Sequence, residues 1–327
     1  MLQHTTLRSI LIRSATILPL LTGCLKPAAQ PTPDEPVRQT TVGVSLWKTD
    51  DPWRAQMKAD IEAAAAKHPE VRFVFRDAQD NAEKQRADVE EFLAHHANLI
   101  IISPKNAQIL AEPIAKAFTA GIPVIVVDRP IIGDKYTCFI APNNKQIGTA
   151  AGKWLAEKLG KKGKIVEIRG PIDSIPNQER HAAFRAALRD PGYRFIYEGY
   201  VDPPRVDASD IMRETMEHAD HIDAVYAYTD EAAQAAYETA KSAQREKDVL
   251  FLGIGGLPTG GQKFVSEGIL DATFLHPTCG TEAVETAMKL LAGQKVPKTI
   301  TMDTQVFTKE NIEQGGKPVD EAVESKH

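Results

Sequence analysis

The stretch Gly121-Ile122-Pro123-Val124-Ile125-Val126-Val127-Asp128-Arg129 decides the fold. Val124 to Val127 are β-branched with no polar alternation, the pattern of a strand buried on both faces. Gly121 and Pro123 close the helical pattern before it. Such a strand belongs to a parallel sheet covered by helices, where ligands sit outside the carboxyl ends of the strands. Asp128 and Arg129 stand at that end.

Outward from this stretch the same grammar recurs. Strands are expected at 41–46, 71–75, 99–102 and 124–127, then at 164–168, 224–228, 249–254 and 270–275. Helical patterns fill 53–67, 82–96, 107–120, 145–159, 178–188, 209–219, 231–243 and 280–291. This strand–helix alternation reads as α/β with parallel sheets. The rhythm restarts near Lys164, so two lobes of similar architecture follow one another. A chain of 327 residues has the length for two domains, and 43% hydrophobic residues supply two cores. The net charge of −5 argues against a nucleic-acid partner, which calls for a basic face. Three cysteines exclude a disulfide-rich scaffold.

Residues 1–23 read as an export signal rather than as fold. Arg8 and Arg13 form a basic start, and a short, mostly apolar stretch follows. It is far shorter than the roughly 20 apolar residues a membrane-spanning helix needs. It ends in Leu21-Thr22-Gly23-Cys24, which resembles the bacterial lipobox, so Cys24 is the expected lipidation site. Pro27, Pro31, Pro33 and Pro36 then mark residues 24–40 as an extended tether. Cys138 and Cys279 remain, and the sequence leaves open whether they pair.

Chemistry-bearing residues gather at the expected strand ends. Asp51, Trp53 and Arg54 follow the first strand, and Asp128 and Arg129 the fourth. Arg180 lies near the start of a helix, Thr229 and Asp230 follow strand 224–228, Gly255 follows 249–254, and His276 ends the last long strand. Carboxylates and guanidinium groups with an aromatic face suit a polyhydroxylated ligand. Each residue also has a plainer reading. Trp53 packs a helix onto its sheet, Asp128-Arg129 is a loop ion pair, and Arg180 is a solvated helix position. Asp230 is an N-cap, and His276 is a hinge or core residue.

Other classes fit less well. No glycine fingerprint follows the first strand, and Pro258 takes the third glycine's place after Gly253-Ile254-Gly255. A phosphate-binding loop at Gly148 to Lys153 is one residue short. Neither a nucleophile elbow nor zinc-ligand spacing occurs, so no catalytic residue, metal or cofactor is expected. A DNA-binding headpiece has no place in residues 1–40 read as signal and tether.

From about Thr41 to Lys309 the chain resembles type I periplasmic sugar-binding proteins, the ribose- and galactofuranose-binding branch. Six segments in order carry the resemblance: Asp51 to Arg54, Gly121 to Arg129, Glu179-Arg180 with Phe184, Ala227 to Glu231, Gly253 to Pro258, and Gly268 to Thr273. It implies two Rossmann-like lobes joined by three hinge crossings, with 41–141 plus 278–302 in lobe one and 142–277 plus 303–327 in lobe two. It implies sugar contacts at Asp51, Trp53, Arg54, Asp128, Arg129, Arg180, Thr229, Gly255 and His276. Trp53-Arg54 looks more like the galactofuranose-binding branch. Thr229 stands where the family usually has asparagine, Gly255 where it has aspartate, and His276 where glutamine is common. The implied function is capture of a carbohydrate or polyol by closure of the lobes, and delivery to an ABC permease in the cytoplasmic membrane. The rival is a sensory lipoprotein that presents the ligand to a chemoreceptor or sensor kinase. Arg54, Arg129 and Arg180 are matched in number by Asp51, Asp128 and Asp230, which favours a neutral ligand over an acidic one.

Overall fold

The computed structural model describes residues 39–201 and 207–319. The expected export signal, Cys24 and most of the tether lie outside the described residues, as does the tail from 320. In chain order the first elements are β1 (Thr41–Leu46), α1 (Pro52–Ala65), β2 (Arg72–Asp77), α2 (Ala82–Ala94), β3 (Leu99–Ser103), α3 (Ala107–Thr119), β4 (Val124–Val127) and β5 (Cys138–Pro142). Then come α4 (Asn144–Leu159), β6 (Gly163–Arg169), α5 (Ile175–Ala187), β7 (Tyr193–Tyr200), α6 (Ala208–His218), β8 (Ala224–Ala227), α7 (Asp230–Ser242), β9 (Leu250–Gly255), α8 (Gly261–Ser266) and β10 (Ala272–Leu275). Last are α9 (Gly280–Leu291), β11 (Thr299–Met302), β12 (Gln305–Thr308) and the short β13 (Lys317–Pro318).

These strands make two sheets. One has the order β11-β5-β4-β3-β1-β2, and its pairings are parallel. The other has the order β13-β12-β10-β9-β8-β6-β7. The expectation of parallel sheets is corrected at one edge of the second, where β12 pairs antiparallel with β10 and with β13. The cause is the link of Asp303 and Thr304 from β11, which brings the chain to the second sheet beside Leu275 at the end of β10, so β12 runs back along that strand. The chain passes between the sheets three times: from β5 to β6, from β10 to β11, and from β11 to β12.

Burial follows the sequence pattern. Val124 to Val127 and Leu99 to Ile102 are sealed on both faces. Asparagine side chains start three helices: Asn81, Asn106 and Asn143 accept from main-chain N–H groups in the first turns of α2, α3 and α4. Gly148 and Gly152 serve packing. A Cβ at Gly148 would lie 2.2 Å from the Arg180 carbonyl, and one at Gly152 would lie 2.6 Å from the Ala187 Cβ. Their bareness lets α4 and α5 touch and sets the height of Arg180. Cys138 and Cys279 are buried free thiols in one core. Burial pushes the Cys138 thiol up to about 11.

Candidate functional site

Residues that follow strands of both sheets meet: His276, after β10, lies beside Asp128, after β4, and Trp53, in the helix after β1. Asp51 caps α1: one oxygen accepts from the Arg54 main chain at 3.0 Å and the other from the Arg54 guanidinium at 2.7 Å. Capping and ion pairing thus fix Arg54 from the same carboxylate. Trp53 uses its indole N–H on the His276 main-chain carbonyl at 2.7 Å, and its ring lies tilted against the imidazole at 4.7 Å. Asp128 has a left-handed backbone, φ 67°, directly after β4. A non-glycine residue held there is strained, and such strain concentrates at functional sites.

Asp128, Arg180 and His276 are buried together. His276 Nε2 stands 3.6 Å from Asp128 Oδ1, too far for a hydrogen bond. Burial pushes the Asp128 carboxyl up, and the guanidinium groups of Arg129, Arg54 and Arg180 pull it back. Burial, with the same three arginines, holds the His276 imidazole well below its ordinary range, so it is neutral at pH 7. Arg180 is held by the side-chain oxygens of Asn144, at 2.5 Å, and Asn177. Arg129 donates to the Lys105 carbonyl at 3.2 Å.

Among the described residues, five buried side-chain polar atoms have no hydrogen-bond partner. Three belong to this cluster: Asp128 Oδ1, His276 Nε2 and Arg54 Nε. Buried polar groups are normally paired, and atoms left open in one place point to a ligand that completes them. A fourth is Trp47 Nε1. Trp47 directly follows β1 and packs against both Arg54 and Arg129. Sequence reading passed over it, although its place at a strand's carboxyl end was the available signal.

Three expected ligand residues make contacts within the second lobe. Thr229, not Asp230, is the N-cap of α7, its hydroxyl accepting from Ala232 N at 3.1 Å. The Asp230 carboxylate turns into its own lobe, accepting from Thr273 Oγ1 at 2.5 Å and Gly256 N at 2.7 Å. Its reading as a ligand residue is corrected to a structural one. Glycines surround it: a Cβ at Gly253, Gly255 or Gly261 would come within 2.5 Å of its oxygens. Gly255 is therefore the space that Asp230 fills. Asp230 also leaves the charge balance of the cleft, and Glu231 takes that place, close enough to Asp51 for their charges to repel.

Among the described residues, one cluster has metal-ligand residue types: Glu167, His181 and Glu198, with ligand atoms within 4.8 Å of one another. Arg185 bridges Glu167 and Glu198, Arg169 takes the other Glu198 oxygen, and His181 the other Glu167 oxygen. Every carboxylate oxygen is occupied, so this is an ion-pair network. A cavity of about 10 Å³ beside it, room for one water, also touches Arg180.

The model of the periplasmic binding protein domain matches residues 42–295. The ribose import binding protein RbsB of Bacillus subtilis (strain 168) is 28% identical over 294 residues, 88% of this chain and 95% of that protein. The solved fructose-binding periplasmic domain of a hybrid two-component system is 37% identical, with a TM-score of 0.78, over 84% of this chain and 92% of its own. A solute-binding protein of an ABC transporter from Bacillus halodurans C-125, solved with bound myo-inositol, is 26% identical, with a TM-score of 0.79, over 85% of this chain and 97% of its own. With its two mostly parallel sheets, its three crossings and a match over most of its length, the chain belongs to the periplasmic binding protein domain family.

Proposed function

We propose that the protein captures a neutral sugar or cyclic polyol between its lobes and delivers it to an ABC importer. The observation that carries this is the convergence of Asp128 Oδ1, His276 Nε2 and Arg54 Nε, buried and unpartnered, at the carboxyl ends of the strands. Hydroxyl groups both donate and accept, so one class of ligand completes all three atoms. The ligand set is Asp51, Trp53, Arg54, Asp128, Arg129, Arg180 and His276, with Thr229 and Gly255 lining the second lobe's side. Relatives that import ribose, and a neighbour that holds myo-inositol, support this class. Ligand bridging both lobes favours the closed form, and a permease distinguishes that form from the open one.

The lipobox-like Leu21 to Cys24 supports a lipid-anchored protein of the cell envelope. No described helix is long and apolar enough to cross a membrane. Cys24→Ser is expected to release the protein from the membrane fraction. An intact mass without lipid on the unaltered chain overturns the anchor. A second reading, ligand sensing for a kinase, is favoured by the 37% identity to the fructose-binding domain of a hybrid two-component system. It uses the same cleft.

A thermal-shift panel tests the ligand class. Ligand at 100-fold over its dissociation constant stabilises by about 2.7 kcal/mol. Neutral sugars or cyclic polyols are expected to stabilise. Stabilisation by uronic acids alone overturns neutrality, and stabilisation by neither overturns the sugar assignment.

A further inference from the structure

Trp47 is 7% exposed, and its Nε1 is buried without an acceptor. An indole N–H can only donate, and a buried donor left open is costly. Four cations surround the ring: Arg54 Cζ at 4.0 Å from its centre, Arg129 Cζ at 4.6 Å, Lys105 Nζ at 5.1 Å and Lys48 Nζ at 5.3 Å. Cations are attracted to an aromatic face, whereas the N–H lies on the positive edge. The ring therefore orders the guanidinium groups while its N–H stays free. The adjacent Arg54 leaves Nε–H free as well.

We propose that Trp47 is a specificity-determining residue of the cleft, whose indole N–H donates to an uncharged oxygen of the ligand while its ring holds Arg54 and Arg129. This rests on the sugar or polyol reading above. The two free donors, Trp47 Nε1 and Arg54 Nε, call for an oxygen lone pair. Three of the four cations already have carboxylates: Arg54 has Asp51 at 2.7 Å, Lys48 has Asp50 at 3.0 Å, and Lys105 has Asp80, while Arg129 donates to the Lys105 carbonyl. A ligand carboxylate would compete with Asp51 for Arg54, whereas a hydroxyl or ring oxygen fits without displacing it. Asp128 Oδ1, the open acceptor of the cluster, takes the donating side of the ligand.

The test is titration calorimetry with D-fructose and myo-inositol as probes, on the full chain and on Trp47→Phe, which keeps a ring and removes the N–H. Loss of about tenfold in affinity is expected. In ¹⁵N-labelled protein the Trp47 indole signal, identified by elimination with Trp53→Phe and Trp154→Phe, is expected to shift on saturation while that of Trp154 stays. This second readout holds if Trp47→Phe fails to fold. Binding by the unaltered chain with Trp47→Phe within twofold of it, or with an unmoved Trp47 signal, overturns the inference alone. Binding of neither probe by the unaltered chain counts against the sugar or polyol reading, and the inference falls with it.

Discussion

Trp53 and His276, 223 positions apart, are joined by a hydrogen bond of 2.7 Å from the indole N–H to the main-chain carbonyl. The bond ties α1 of the first lobe to the segment where the chain leaves the second. Trp53→Phe keeps a ring against the imidazole and removes the bond. A net loss of about 1 kcal/mol in unfolding free energy is expected in urea. An unchanged midpoint and slope would show that the bond contributes nothing.

The glycine at 255 is required by its neighbour. Its φ is 151°, and a Cβ there would lie 2.5 Å from Asp230 Oδ2. Gly255→Asp, which restores the residue usual in the ribose-binding pattern, is therefore expected to destabilise by at least about 2 kcal/mol. Equilibrium unfolding decides it. Wild-type stability together with tighter sugar binding would refute the steric argument.

The lobes and their strand ends were legible because both-face burial writes unbroken apolar runs such as Val124 to Val127. The partly exposed β2 was legible as well, through Phe73-Val74-Phe75, whereas the buried β5 and the strands β7 and β11 were not. β7, at a sheet edge, carries Arg194 and Glu198 among its aromatic residues, and β11 alternates exposed and half-buried positions. At the site, Asp128 and His276 stand where strand-end reasoning put them. Asp230 shows the limit of that reasoning. A carboxylate after a strand looks the same in sequence whether it meets a ligand or its own lobe, and only the glycines at 253, 255 and 261 reveal which. Trp47 was missed because a tryptophan next to an apolar run reads as core.

Asp230 makes stability depend on pH. Burial lifts its carboxyl to about 7, against the pull of hydrogen bonds from Thr273 and Gly256. The unfolded chain releases that proton near pH 4. The folded form is therefore favoured most at low pH, and the contribution is lost as pH rises through about 7. Between pH 5 and pH 7 the loss is on the order of 2 kcal/mol. Asp230→Asn does not titrate, so its stability at pH 5 minus that at pH 7 is expected to be smaller by that amount. Urea unfolding at the two pH values measures it, and equal differences in both proteins would place the Asp230 carboxyl in its ordinary range.

Asp128 provides the sharpest test of the cleft. Its carboxylate is buried, one oxygen is open, and Arg129, Arg54 and Arg180 lie within electrostatic reach. Asp128→Asn keeps the shape, and asparagine tolerates the left-handed backbone that alanine would strain. The charge is lost, so a ligand hydroxyl exchanges a charged acceptor for a neutral one. A hydrogen bond to a charged group contributes roughly 1.5–3 kcal/mol, about twice a neutral one, which sets a loss of about tenfold in affinity. Stability is expected to move the other way. Burial disfavours the ionised carboxyl, so replacing it with a neutral group relieves part of that cost in the empty protein. Weaker binding with equal or higher unfolding free energy is thus the signature of a carboxylate kept for its ligand. Calorimetry and urea unfolding on the same preparation read both quantities. Unchanged affinity in a folded Asp128→Asn protein removes the residue from the site.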